Sequence, residues 1–150
     1  MQSVSQNIRA VEDKRAHPII FKAVSSANSN LTVNANDYLP FNSLVFSYPD
    51  AASYDTINYS YTVPVNGIYQ FSYRLYVNSS STLNGKIAFL KNNTTIAITG
   101  NLGANIESLT ALESCNAGDV IRVRCLIGNG LIFWMNPVHC SFSGQLIYEL

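Results

Sequence analysis

The chain is short of charge, of histidine and of long apolar runs. Only 12% of its 150 residues are charged, and nine basic residues balance nine acidic ones. A nucleic-acid partner would require a basic excess, so the composition argues against that class of partner. No apolar run reaches the roughly 18 residues of a membrane-spanning helix. With two histidines and no Gly-x-Ser-x-Gly nucleophile motif, the sequence predicts no enzyme.

The cysteines are also few, and their number is odd: Cys115, Cys125 and Cys140. An odd number argues against a complete disulfide framework, and we expect buried free thiols that behave as small hydrophobic side chains. His139 and Cys140 are adjacent, so they point to opposite faces of a strand, and the carboxylates are scattered among loops. We therefore expect no metal site and no other cofactor.

Residues 1–17 differ from the rest of the chain, because they are polar and mixed in charge. Their apolar residues recur at spacings of four and three: Val4, Ile8 and Val11. This spacing fits a short helical stalk, and an extended assembly arm is the alternative, since isolated short helices are marginal. His17 precedes Pro18 and therefore ends any helix. We divide the chain into an N-terminal arm or short stalk, 1–17, and one domain, 18–150. No secretory signal peptide is visible.

After Pro18 the alternation of apolar and polar residues predicts strands. The clearest apolar series is Tyr69, Phe71, Tyr73, Leu75 and Val77, and a second one is Ile57, Tyr59, Tyr61 and Val63. Further strands are expected at 19–24, 31–33, 43–48, 87–90, 95–98, 107–112, 120–126, 131–134 and 140–150. About ten short strands, with turn residues between them and no helix after residue 17, predict an all-β sandwich or barrel.

The closing strand runs to the last residue of the chain. An apolar strand in this position has to be paired in the middle of a sheet, because a free edge of this kind would aggregate. We expect several side chains of residues 146–150 to be buried. Phe142, with the aromatic residues of the 69–77 series, supplies the large apolar area that a sandwich core needs.

Five residues indicate turns or close packing. Pro64 cannot donate a ladder hydrogen bond, so it belongs at a strand end. We expect Gly67 to hold backbone angles that a side chain would forbid. Gly118 and Asp119 are typical turn residues. Gly144, inside the closing strand, indicates a close neighbour, a bulge or a bend.

Six segments of residues 18–150, taken in their order along the chain, resemble the globular domain of the C1q family, a branch of the tumour-necrosis-factor-like jelly rolls. The similar segments are 18–23, 41–55, 63–71, 90–94, 108–123 and 141–147. The most specific is 63–71, where Pro64, Gly67, Tyr69 and Phe71 are in register with the family signature. The resemblance implies a jelly-roll sandwich, and a module that assembles and recognises ligands instead of catalysing a reaction.

The resemblance leaves two interpretations open. The first is a non-enzymatic, self-assembling surface module for recognition or attachment, with ligand-facing loops. The family favours a homotrimer for it, at an extracellular surface, and its ligand is either a protein or a glycan. The second is a structural capsid or vertex (penton-like) protein of a virion, for which a pentamer is the expected assembly. No collagen-like repeat precedes the domain, so a viral or microbial surface member is considered beside an animal one.

Three residues form the candidate interaction surface. Arg122 and Arg124 lie two apart on one strand and therefore share a face. They can grip an anionic ligand, pair across a subunit contact or point to solvent. Trp134 precedes Asn136 and Pro137, so it either protrudes on a binding loop or packs in a core or an interface.

Overall fold

The computed structural model describes residues 18–78, 85–99, 102 and 105–150. It contains the strands β1 (Ile20–Val24), β2 (Ser29–Val33), β3 (Ser43–Tyr48), β4 (Tyr54–Asp55), β5 (Ser60–Thr62), β6 (Gly67–Val77), β7 (Lys86–Lys91), β8 (Thr94–Ile98), β9 (Asn105–Cys115), β10 (Val120–Ile127), β11 (Leu131–Met135) and β12 (Ser141–Glu149). The all-β prediction is confirmed: in the described ranges the helical content is one 3-10 turn, Ala51–Ser53. No helix in these ranges has the length and apolarity to cross a membrane. The candidate arm residues Val4, Ile8 and Val11 lie outside the described residues.

The strands form two antiparallel sheets that pack face to face as a sandwich. The larger sheet has the central order β9-β6-β12-β1-β3, and β11 and β2 continue it from the end of β6. The smaller sheet has the order β4-β5-β10-β7-β8. The closing strand β12 pairs with β6 on one side and β1 on the other, which confirms its expected central position.

The core is built from the alternation along β6 and from aromatic side chains of the facing strands. The predicted inward residues of β6 are all buried: Tyr69, Phe71, Tyr73, Leu75 and Val77. The Phe21 ring stacks on Tyr61, with 3.9 Å between ring centroids, and meets Phe142 edge-on at 5.0 Å. Phe21 and Phe142 come from the larger sheet and Tyr61 from the smaller one, so these contacts join the two layers.

The predicted strand at residues 57–63 is wrong in its first half. Ile57 is 82% exposed, and Tyr59 has a φ of 56°, so this segment turns instead of extending. The cause is Asp55, whose carboxylate accepts the backbone N–H groups of Ile57 at 2.8 Å and Asn58 at 3.0 Å. Asp and Asn side chains that bond to the backbone in this way stabilise turns over strands. These hydrogen bonds also lower the pKa of Asp55.

The expectation of several buried side chains at the end of the closing strand is also wrong. Leu146 is partly buried against the core, but residues 147–150 are exposed. The register of β12 against β6 shifts between Leu146 and Tyr148, which breaks the simple alternation there. Phe142 and Gly144, in the first half of the strand, are the residues that lie in the core.

Gly67 is required for a reason other than the predicted one. Its φ is not among the positive values of the described glycines, so its backbone is ordinary. A Cβ there would lie 2.4 Å from Leu146 Cδ1 and 2.6 Å from the carbonyl oxygen of Tyr148. The close approach of β12, and not the backbone angle, therefore excludes a side chain. Gly118, in contrast, has a φ of +93° in the turn that leads into β10.

The three cysteines are free and buried, as expected. Burial raises the pKa of both Cys115 and Cys125 to about 11, because the charged thiolate is poorly solvated there. Cys140 Sγ lies 3.2 Å from the carbonyl oxygen of Trp134. All three buried thiols therefore serve as small packing groups.

Candidate functional site

The larger sheet turns an almost uncharged face to the outside. Strand pairing places alternate residues of β3, β1, β12, β6 and β9 on this outer face. Among the described residues that it places there, Lys22 and Arg74 are the charged ones. The neutral residues include Gln70, Ser72, Thr110, Leu112, Ser143 and Gln145. Charge is depleted at the centre of protein–protein interfaces, so this face has the composition of one.

The polar groups on this outer face largely satisfy one another. The hydroxyls of Ser72 and Thr110 lie 2.9 Å apart across β6 and β9, and Gln145 Nε2 donates to Gln70 Oε1 at 3.2 Å. These short side chains leave a shallow depression of about 360 Å³, which Phe46 and Lys22 also border. Part of the polar lining of the depression is therefore already hydrogen-bonded within the sheet.

Large apolar side chains surround the depression and are exposed to solvent. Leu112 is 66% exposed, Tyr148 65% and Tyr48 56%. They lie on β9, β12 and β3, which spreads them across the whole face. Extended surfaces of this kind, apolar and nearly free of charge, are typical of interaction sites.

The smaller sheet has a different outer face, which carries an arginine pair. Arg122 and Arg124 project from β10, and Tyr38 lies beside them because its backbone bridges to Arg124. The Tyr38 ring centroid is 4.7 Å from the Arg122 guanidinium carbon and 5.9 Å from that of Arg124. Both guanidinium groups are thus within cation–π distance of one ring.

Arg122 lines a small cavity next to the hairpin between β7 and β8. The cavity has a volume of about 280 Å³ and is lined by Asn92, Asn93, Val120 and Arg122. Asn92 and Asn93 have positive φ values of 51° and 67°, which asparagine tolerates better than most residues. This tight turn positions the Asn93 amide beside Tyr38, whose hydroxyl donates to Asn93 Oδ1 at 3.4 Å.

A third exposed feature is formed by the end of β11, which contains Trp134, and by the loop that follows this strand. Trp134 is 37% exposed and Val138 78% exposed. Asn136 organises the loop, since its Oδ1 accepts the backbone N–H groups of Val138 at 3.0 Å and His139 at 2.8 Å. An open cavity of about 430 Å³ lies between this loop and residues Ser26 and Asn28.

Comparison with known proteins identifies the family. The family model of the C1q domain matches residues 20–147. The chain belongs to the C1q domain family. This confirms the resemblance that the sequence motifs indicate. No curated protein matches the sequence.

Solved structures agree on the fold of this C1q domain. The globular domain of the zebrafish complement 1qA protein has a TM-score of 0.64 at 15% identity, covering 88% of this chain and 99% of that one. The Eiger TNF of S. frugiperda has a TM-score of 0.65 at 13% identity, covering 89% and 95%. The pika GITRL has a TM-score of 0.56 at 16% identity, covering 87% and 96%. These likenesses show the jelly-roll fold.

The signature residues of this C1q domain lie in its core and turns, away from both outer faces. Tyr69, Phe71 and Phe142 are fully buried, and Gly144 lies between the Phe21 and Phe71 rings. Pro64 lies between β5 and β6, Gly67 begins β6, and Gly118 and Asp119 form the turn before β10.

The candidate surface residues do not form one site. Arg122 and Arg124 are together on the smaller sheet, whereas Trp134 is on β11 of the larger one. Sequence reasoning missed Tyr38 and Asn93, because only long-range pairing brings them to Arg122. In the described ranges, no group of three or more His, Cys, Asp or Glu side chains is placed to hold a metal ion.

Proposed function

We propose that this C1q domain is a non-enzymatic recognition module that assembles as a homotrimer through the outer face of the larger sheet. The observation that carries the proposal is the contrast between the two outer faces. The larger sheet exposes Leu112, Tyr48 and Tyr148 with only two charged neighbours among the described residues, and the smaller sheet carries the arginine pair. Family membership supports oligomeric recognition in place of catalysis.

The shape of the face supports a cyclic assembly. In a closed ring, each contact joins two different patches, one from each neighbour. Leu112 protrudes from β9, at one edge of the sheet, while the depression lies over β1, β12 and β6 at its centre. Leu112 of one copy can therefore enter the depression of the next. Each Å² of apolar surface buried in this way contributes about 25 cal/mol.

Such a contact leaves the outer face of the smaller sheet available for a ligand. We also propose that residues 1–17 act as an assembly arm, through the apolar spacing of Val4, Ile8 and Val11. The capsid or vertex alternative receives no support, since the matching family and the similar structures are C1q and TNF-type proteins.

Light scattering at micromolar concentration tests the assembly. We expect a particle of three 16.5 kDa chains for the wild type. Leu112→Asp places a charge in the contact and should give monomers, because an unpaired charge is costly to bury. The matched control is Ile57→Asp, the same change at the 82% exposed turn after β4 of the smaller sheet, which should remain trimeric. A monomeric wild type contradicts self-assembly, and a pentamer contradicts the trimer.

A further inference from the structure

The two arginines on the smaller sheet are held close together. Residues two apart on a strand are separated by about 6–7 Å, and both guanidinium groups lie against the Tyr38 ring. Neither arginine forms an ion pair with a carboxylate in the described ranges. Arg124 donates from Nη2 to Asn36 Oδ1 at 2.5 Å, so its orientation is fixed.

Arg122 differs from Arg124, because its side chain makes no hydrogen bond to any described residue. Its Nε is buried and has no partner in the described part of the chain, and the same holds for Arg124 Nε. A buried donor without a partner is destabilising, and few are found in folded proteins. Stacking on Tyr38 uses the face of the Arg122 guanidinium and leaves its edge, with parallel N–H donors, free for a planar acceptor.

The acidic side chains of the neighbouring loops and turns already accept hydrogen bonds from the backbone. Asp37 accepts the N–H of Asn34 at 2.9 Å, and Asp119 accepts the N–H of Asn116 at 2.8 Å and the amide of Asn92 at 2.8 Å. Asp55 is held by its own turn. The Asp55 carboxylate interacts electrostatically with Arg122. Negative charge beside the arginine disfavours a polyanion such as a nucleic acid or an anionic membrane. A ligand with a single negative group fits this pattern better.

The cavity beside Arg122 supplies partners for hydroxyl groups. Both polar atoms of the Asn92 side chain are engaged, since its Oδ1 accepts the N–H of Val120 at 2.9 Å and its Nδ2 donates to Asp119. The amide of Asn93, by contrast, donates no hydrogen bond to any described residue and borders the cavity with the Val120 side chain. A volume of about 280 Å³ is at the lower end for ligand sites, which span about 300–1,000 Å³, so it suits one sugar-sized group.

We propose that Arg122, supported by Tyr38 and Arg124, is the oxyanion subsite for an acidic saccharide on the outer face of the smaller sheet. The Arg122 edge receives the carboxylate or sulfate in a bidentate contact, and the Asn93 amide donates to a ring hydroxyl. Val120 packs against the apolar side of the sugar. This inference rests on the proposed recognition function, and it names the class of ligand.

Calorimetric titration at low salt tests the site, with glucuronate and N-acetylneuraminate as carboxylates, glucosamine 6-sulfate as the sulfate, and N-acetylglucosamine as the neutral control. We expect the acidic sugars to bind and the neutral sugar to bind at least about tenfold more weakly. Arg122→Gln should weaken binding by about tenfold or more, and Arg122→Lys nearly as much, since lysine lacks the planar fork. Lys86→Gln, which removes one positive charge from the same sheet, should change the affinity by less than about twofold.

Light scattering on the same samples separates the two proposals. The site is supported if Arg122→Gln remains a trimer, keeps the wild-type melting temperature and binds the acidic sugars more weakly. The proposed site is wrong if the trimer binds none of the acidic sugars, if it binds the neutral sugar equally well, or if Arg122→Gln keeps the full affinity. None of these results contradicts the proposed assembly. Binding of a Glu-rich peptide in place of the sugars overturns the saccharide assignment. A monomeric wild type overturns the proposed assembly instead.

Discussion

Replacing Gly144 by alanine tests how closely β12 packs between its neighbours. A Cβ at this position would lie 2.6 Å from Phe21 Cε1, 2.6 Å from Phe71 Cδ1 and 2.9 Å from Phe71 Cε1. Carbon atoms in contact prefer about 3.5–4.0 Å, so both rings would have to retreat by about 1 Å. Neither has room: Phe21 stacks on Tyr61, and Phe71 contacts Phe89.

The expected magnitude follows from two opposing effects. Overpacking a core costs about 1–3 kcal/mol. Alanine also removes the conformational entropy penalty of glycine in a strand, which recovers about 0.5–1 kcal/mol. We therefore expect Gly144→Ala to lower the free energy of unfolding by about 1–2 kcal/mol and the melting temperature by about 2–8 °C.

Urea unfolding followed by the fluorescence of Trp134, the single tryptophan, measures this change. The protein concentration is fixed, because the stability of an oligomer depends on it. Ser29→Ala, at an exposed position of β2 outside the proposed contact, is the control and should stay within about 0.5 kcal/mol of wild type. Phe71→Leu should cost less in the Gly144→Ala background than alone, with a coupling of about 0.5 kcal/mol or more. Wild-type stability without coupling would refute the packing argument.

Three further predictions concern the strand contact at Gly67, the thiols and the arm. Gly67→Val should destabilise by about 1–3 kcal/mol through its clash with β12, and an unchanged urea midpoint would show that the strands can separate. Cys115 and Cys125 should resist iodoacetamide at about pH 8 in the folded chain and react after unfolding. Their pKa of about 11 in the folded chain exceeds the value in the unfolded chain. The stability that these protonated thiols contribute is therefore complete below about pH 8.5 and is lost as the pH rises through about 11. Removing residues 1–16 should preserve the circular dichroism spectrum and the melting temperature while weakening the oligomer; failure to fold would move the domain boundary.

The parts of the fold that the sequence predicts well are those governed by local alternation. The 69–77 series predicts the inward face of β6 residue by residue, since period-two burial needs no knowledge of the partner strands. The strand predicted at 43–48 has the observed bounds of β3. The central position of β12 is predictable because an apolar strand at a free sheet edge would promote aggregation.

The wrong predictions share one physical cause, which is competition from a contact that alternation does not encode. At residues 57–59 the side chain of Asp55 captures the backbone and makes a turn. At Leu146 a bulge shifts the register and turns Tyr148 outward, although its hydrophobicity predicts burial. At Gly67 the constraint is a neighbouring strand about 80 residues away in sequence, so backbone propensity gives the wrong reason.

Part of the candidate site, like part of the fold, can be predicted from the sequence. The shared face of Arg122 and Arg124 follows from strand periodicity. Their ring partner does not, because Tyr38 belongs to an irregular segment that pairs with β10 across more than 80 residues. The nearly uncharged outer face also emerges only when β9, β6, β12, β1 and β3 are side by side, since the order of the strands is not evident from any one of them.

The segregation of charge between the two faces links the two proposals. If copies meet through the larger sheet, the arginine pair of each stays on the outside, and one particle presents three equivalent subsites. A single saccharide held by one guanidinium and one amide binds weakly. Several such contacts on one surface raise the effective affinity by about 10²–10⁴ without any new contact, provided that the sites can be engaged together. A site with one bidentate arginine is therefore sufficient for recognition when the domain is an oligomer, and it would be too weak in a monomer.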